Sequence, residues 1–229
     1  MLTAIASLAD SKVSKDTDRL VLRWRLLLGI PLIGLLALIA WLDAHAIRPG
    51  TYLAPTGMLI AALAADELIR MFAARGRSLS RAAIQCASVL PVVFCSIALA
   101  WTAARELLRG AGIGWLGLGM IAALAVVLTA EMGRFGNAAD PTINAGLGTL
   151  SVLYVGGLIG VLLELRWTNP GGLTALLSLI AVVKLSDVGQ YFAGKTWGRH
   201  RLAPLLSPGK TWEGLAGGMA MAVVAAFLL

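Results

Sequence analysis

The chain has 229 residues, of which 59% are hydrophobic and 14% charged, and a mean hydropathy of +0.83. A water-soluble domain of this length cannot hide so much apolar surface, which excludes a soluble enzyme. The formal net charge of +7 is divided among the flanks of hydrophobic segments, where Lys and Arg set topology and meet anionic headgroups, so no nucleic-acid partner is expected.

The opening residues, MLTAIASLADSKVSKDTDRL, hold no apolar core before the charges begin. No cleavable signal is predicted, and the first hydrophobic run serves as signal and anchor. Seven candidate spans follow: Trp24–Leu42, Leu53–Ile69, Ala82–Ala104, Ile113–Ala130, Leu147–Leu163, Leu173–Leu185 and Leu215–Leu229. The expected fold is an all-α, polytopic membrane bundle of about seven transmembrane helices, with residues 1–229 as one domain.

Several features along these spans have bland readings. The second and sixth spans are short for a hydrocarbon core of roughly 30 Å. They close on Asp66 and Glu67, and on Lys184, Ser186 and Asp187, which predicts helices that run past the bilayer surface or face a polar cavity. Asp66 and Glu67 read as a cytoplasmic helix end, with a supporting role near the site as the alternative. His45 reads as an interfacial residue. Cys86 and Cys95 share one apolar run and read as small core residues. Gly156 with Gly160, and Gly214 with Gly218, have the spacing that lets membrane helices approach closely.

Charge sets the orientation. One group of flanks carries Lys12, Lys15, Arg19, Arg23, Arg25, Arg70, Arg75, Arg77, Arg81, Arg134, Lys184, Lys195, Arg199, Arg201 and Lys210. The opposite group carries Arg48, Arg105, Arg109 and Arg166. The excess predicts that the amino terminus and the segment from Asp187 to Glu213 are cytoplasmic.

The segment Lys184–Gly218 concentrates polar chemistry between two apolar runs, and polar groups beside hydrocarbon mark a functional site by default. If the sixth helix continues to Tyr191, then Lys184, Asp187 and Tyr191 share one face. Asp187 then pairs with Lys184 or ligates Mg²⁺, which is commonly held by one or two carboxylates plus substrate phosphates. Lys195, Arg199, His200 and Arg201 form either flanking charge or a phosphate-attracting surface. Ser207-Pro208 reads as a helix start, with Ser207 as N-cap and Pro208 at the first helical position. Lys210 and Thr211 would then project from the first turn, making an anion site, with Glu213 on the same side of the helix. Gly209-Lys210-Thr211 is not a P-loop, because Pro204 stands where that pattern needs glycine.

The order Asp187-x-x-x-Tyr191-Phe192, Gly194-Lys195, Gly198-Arg199-His200-Arg201-Leu202-Ala203-Pro204 and Ser207-Pro208-Gly209-Lys210-Thr211-Trp212-Glu213-Gly214 resembles the phosphatidate cytidylyltransferase, or CDP-diacylglycerol synthase, family. The close likeness covers Lys184–Gly218. The resemblance implies an inner-membrane enzyme that joins CTP to phosphatidic acid with Mg²⁺, releasing pyrophosphate and CDP-diacylglycerol, with homodimer formation left open. It implies Asp187 as metal ligand and Lys210, Ser207 and Thr211 as phosphate holders. Glu213 would support Lys210 or the metal, and Lys195, Arg199 and Arg201 would attract CTP or the lipid headgroup. Val188-Gly189-Gln190 stands where Ser/Thr-Gly-Ala usually follows the family's first Asp. The family's later signature, with Pro-Gly-His-Gly-Gly and Asp-Arg-x-Asp, does not follow, so a fragment or shortened relative holding half of the site is expected. The competing readings are another CTP-using lipid enzyme (a polyprenol kinase or an archaeal-type CDP-lipid synthase) and an inactive relative or transporter. Polar groups gathered at one membrane surface rather than at the midplane count against a transporter.

Overall fold

Within hydrocarbon a lone apolar segment satisfies its backbone only as a helix, and the described part of every predicted span is helical. The computed structural model describes residues 29, 31–100, 114–136, 140–167, 171–204 and 207–229. Among them are helices α1 (Pro31–Ala44), α2 (Leu53–Ala73), α3 (Arg81–Ala100), α4 (Gly114–Met132), α5 (Pro141–Trp167), α6 (Gly172–Trp197) and α7 (Trp212–Leu228). A short antiparallel hairpin, β1 (Arg201–Ala203) and β2 (Ser207–Thr211), joins α6 to α7. The start of the first span lies outside the described residues, as do Lys12 to Arg25, Arg105 and Arg109.

Three helices, α4, α5 and α6, are long and apolar enough to cross a membrane, and α1, Arg81–Ile97 of α3, and α7 are shorter apolar helices. The chain is thus an all-α membrane protein. The two short spans run on past their apolar windows, one of the two outcomes their charged ends predict: α2 continues past Ile69 to Ala73 and α6 past Leu185 to Trp197. In both cases the charges sit on the helix without ending it, since no proline intervenes to break the ladder.

Helices α2 to α5 pack around Ile69, Leu79, Ile84, Ala87, Ala123, Val127 and Val152, with a second cluster of Ala54, Val92 and Leu163. Within α5 a π-helical turn, Val152–Gly157, brings Gly156 against α3. A Cβ at Gly156 would stand 2.5 Å from the Ser88 carbonyl oxygen, so only glycine permits that approach. Cys95 is buried as expected, whereas Cys86 is exposed, because its position on α3 turns away from the core.

Buried polar side chains gather at the two ends of the bundle. At one end Asp43 accepts hydrogen bonds from the amides of Gly50 (3.0 Å), Tyr52 (3.1 Å) and Leu53 (3.3 Å), and from Arg166 Nε (2.8 Å). At the other end Asp66 accepts from Arg70 Nε (2.9 Å), Arg81 Nε (2.6 Å) and Gln85 Nε2 (3.0 Å). The loop between α2 and α3 is tied to the end of α4 by the amide of Ser80 on Glu131 (2.8 Å) and to the α4–α5 connection by Arg77 on Asp140 (2.7 Å).

Candidate functional site

The site is built where α6 and α7 cross antiparallel. Close approach is made by glycines: a Cβ at Gly189 would overlap Met221, and one at Gly218 would lie 3.1 Å from the Ser186 carbonyl oxygen. Ser186 also donates from Oγ to the Gly218 carbonyl (3.1 Å). Gly189, which coincides with the glycine of the family's Ser/Thr-Gly-Ala pattern, therefore occupies a contact where a side chain has no room.

Along α6, Lys184 Nζ lies 3.4 Å from Asp187 Oδ2, and both side chains are well exposed. About two turns on, Lys195 Nζ donates to the Tyr191 hydroxyl (3.2 Å) and stands 5.5 Å from that ring's centroid, a cation–π geometry. The helix stops after Trp197, where Gly198 turns extended (φ −62°, ψ 113°). Trp197, Trp212, Tyr191 and Phe192 are all exposed around this end, the amphipathic girdle expected at a membrane–water boundary.

The hairpin corrects the expected helix start. Ser207 is not an N-cap: Ser207–Thr211 is strand β2, with Arg201 opposite Thr211 and Ala203 opposite Ser207. A residue preceding proline is biased to extended backbone, which suits a strand as well as a cap. Thr211 is the N-cap instead, accepting from the Gly214 amide on Oγ1 (3.1 Å). Lys210 therefore projects from a strand, not from the first turn of α7, and does not share a helix face with Glu213.

Glu213 has its own partners. Its carboxylate accepts from the amides of Arg199 (3.1 Å) and His200 (3.3 Å), and its Oε1 lies 2.7 Å from His200 Nδ1. The His200 hydrogen bond, with the backbone donors, holds the Glu213 carboxyl down to about 2. Glu213 thus fastens the bend that launches β1, and the Trp212 amide donating to the His200 carbonyl (3.0 Å) closes it. Arg199, Arg201 and Lys210 are exposed on this fastened loop.

Glu213 is level with the end of α6, since Gly214 packs on Gly194. Asp187 lies seven residues back, about 10 Å along the helix at 1.5 Å per residue. The Glu213 carboxylate is engaged at the bend, and among the described residues no three His, Cys, Asp or Glu side chains converge as a metal site. Asp187 fits Mg²⁺ as a single carboxylate on an exposed face, the kind of donor set that substrate phosphates complete. Asp43, Asp66 and Glu131 stood apart from the sequence reading as organising side chains. Each takes at least one partner from another element or loop, Arg166, Arg81 and Ser80 respectively, and only their position at span ends signalled them.

The chain matches the cytidylyltransferase family over residues 23–229. It is similar to the phosphatidate cytidylyltransferase of Haemophilus influenzae, 42% identical over 76 residues covering 33% of this chain and 26% of that protein. It is similar to the enzyme of that name from Bacillus subtilis, 40% identical over 81 residues, 35% of this chain and 30% of the relative. It also resembles the uncharacterized protein YnbB of Escherichia coli, 37% identical over 92 residues, 36% of this chain and 31% of the relative. These aligned stretches span less than a third of each relative's length. No solved structure matched.

Proposed function

The chain belongs to the cytidylyltransferase family, and from that premise we propose that it transfers CMP from CTP to phosphatidic acid, giving CDP-diacylglycerol and pyrophosphate. A phosphatidate oxygen attacks the α-phosphorus of CTP, and the bond from that phosphorus to the bridging oxygen breaks as pyrophosphate leaves. The protein's task is chiefly to position two polyanions and to balance charge on the leaving group. The observation that carries this reading is the hairpin, which places Arg199, Arg201 and Lys210 at the end of the helix bearing Asp187 and Lys195.

In this reading Lys195, Arg199, Arg201 and Lys210 attract the polyphosphate and the lipid headgroup. Thr211 Oγ1 already accepts from the Gly214 amide, which leaves its hydroxyl hydrogen to donate to a phosphate oxygen. Ser207, at the other end of β2, is a second hydroxyl donor. Glu213 acts by positioning: it holds the Arg199–His200 bend and so aims the basic residues. Mg²⁺, bound through Asp187 and phosphate oxygens, would neutralise charge on the departing pyrophosphate. The excess of Lys and Arg at this end supports a cytoplasmic face, where CTP is available, and in this reading the membrane is a bacterial inner membrane.

Membranes containing the full-length protein should convert labelled CTP and phosphatidate to CDP-diacylglycerol with release of pyrophosphate. A phosphorylated polyprenol formed from CTP and polyprenol, without any CDP-lipid, would refute the assignment. So would CTP retention without pyrophosphate release.

A further inference from the structure

Asp66, near the end of α2, gathers two guanidinium groups onto one carboxylate. Its side chain is 12% exposed. Oδ2 meets both Nε and Nη2 of Arg70 at 2.9 Å, from the same helix. Oδ1 accepts from Nε of Arg81 at 2.6 Å, at the first residue of α3, and from Gln85 Nε2 at 3.0 Å. One guanidinium would neutralise this carboxylate, so the second leaves the cluster with a positive charge. Its surroundings do not cancel that charge. Asp140 is paired with Arg77, and exposed Glu67 is matched in number by exposed Arg75.

The arginines, unlike their anchor, are open to solvent: their side chains are 67% and 57% exposed. Guanidinium groups donate from every nitrogen, and among the described residues neither arginine takes an acceptor other than Asp66. Nη1 of Arg70 and both terminal nitrogens of Arg81 therefore keep their donors unused. Because Nε of each is bound to the same carboxylate, their separation is limited to two hydrogen bonds and the width of that carboxylate. Two forks of donors are held side by side on a buried support.

We propose that Arg70 and Arg81, clamped by Asp66, bind the phosphate of an anionic phospholipid headgroup. Guanidinium forks match phosphate oxygens bidentately, and a phosphate has oxygens enough to engage both. The setting suits a lipid. Leu59 and Leu63 are exposed on the face of α2 that carries Arg70, and they continue from it as an apolar track for the acyl chains. Arginines at a membrane surface attract anionic lipids, whereas a zwitterionic headgroup brings its own cation and gains less from the residual charge. The clamp is built on α2 and α3, neither of which carries a residue assigned to cytidylyl transfer, so it stands or falls separately from that reaction.

The test uses the full-length protein in dodecyl maltoside, with native mass spectrometry measuring retention of added dioctanoyl phosphatidylglycerol. Wild type should bind it about tenfold more tightly than dioctanoyl phosphatidylcholine. Arg81→Gln and Arg70→Gln each keep a donor for Asp66 but lose the fork, and each should weaken phosphatidylglycerol binding about tenfold. Arg75→Gln removes the same charge from the adjoining loop and should stay within about twofold of wild type. Inorganic phosphate at the lipid's concentration should not displace it. Equal losses in Arg75→Gln and Arg81→Gln would overturn the proposal, since general surface charge would then suffice. Undiminished binding in a folded Arg70→Gln or Arg81→Gln protein, or displacement by inorganic phosphate, would do the same. If neither glutamine variant folds, Arg81→Lys decides alone: it keeps the charge without the fork, and binding equal to wild type overturns the clamp.

Discussion

Arg166 Nε donates to Asp43 Oδ2 at 2.8 Å across 123 residues of chain, with the two side chains 10% and 0% exposed. The same carboxylate terminates the α1–α2 turn by accepting from three backbone amides. One buried group therefore fixes both the entry of α2 and the far end of α5. Removing one partner leaves the other charge uncompensated. Arg166→Met should destabilise the protein by about 3–5 kcal/mol, and Asp43→Ala by more, because it also orphans backbone donors. Thermal unfolding in detergent measures both.

The Glu213 carboxyl, held down to about 2 from an ordinary 4.5 mainly by His200, makes a pH prediction of definite sign. A depressed carboxyl stabilises the fold above its unfolded value and loses that contribution as pH falls through the folded value. The stability gap between wild type and Glu213→Gln should close progressively as pH falls from about 5 towards 2. Denaturation monitored at a series of pH values checks this, and a gap that widens on acidification would contradict it.

Thr211 and Ser207 separate the observed helix start from the one the local sequence suggests. Thr211→Ala should cost α7 about 1 kcal/mol through its lost cap, with Thr211→Ser close to wild type. Ser207→Ala should leave α7 unaffected. Hydrogen exchange of the Gly214 amide reads the difference directly.

Gly189 and Gly209 offer a paired test of the α6–α7 contact. Gly189→Ala puts a methyl into Met221 and should destabilise the pair by roughly 1–3 kcal/mol, as overpacking does. A Cβ at Gly209 meets nothing within 4 Å, so Gly209→Ala should be nearly neutral to folding. Melting temperatures of the two variants make the comparison.

Much of this architecture was legible in residue order. Apolar runs located the helices, and the Gly156/Gly160 and Gly214/Gly218 spacings marked helix contacts that the structure contains. What local sequence could not separate were states with the same local signature. Ser207-Pro208 and Thr211-Trp212-Glu213 are both good helix starts, and only the pairing of Ser207–Thr211 with Arg201–Ala203 makes the first of them a strand. Hydropathy ended α6 at Leu185 because charge interrupts the apolar run, yet exposed Lys184 and Asp187 cost a helix little backbone stability. Asp43 and Arg166 carry no periodic signal at all, since their relation exists only after α1 and α5 have packed. The local pattern alone puts Lys210 and Glu213 on one helix face. The hairpin replaces that with one residue exposed on a strand and the other fastening the bend.

Asp187 is the residue on which the functional account turns, because its neighbour Lys184 offers a purely structural partner at 3.4 Å. The decisive measurement is CDP-diacylglycerol formation from CTP and phosphatidate in membranes holding equal amounts of full-length wild type and Asp187→Asn. The account predicts a loss on the order of 100-fold or more, as expected when a group that helps balance transition-state charge is removed. Activity within twofold of wild type would contradict it and leave Asp187 as no more than the partner of Lys184.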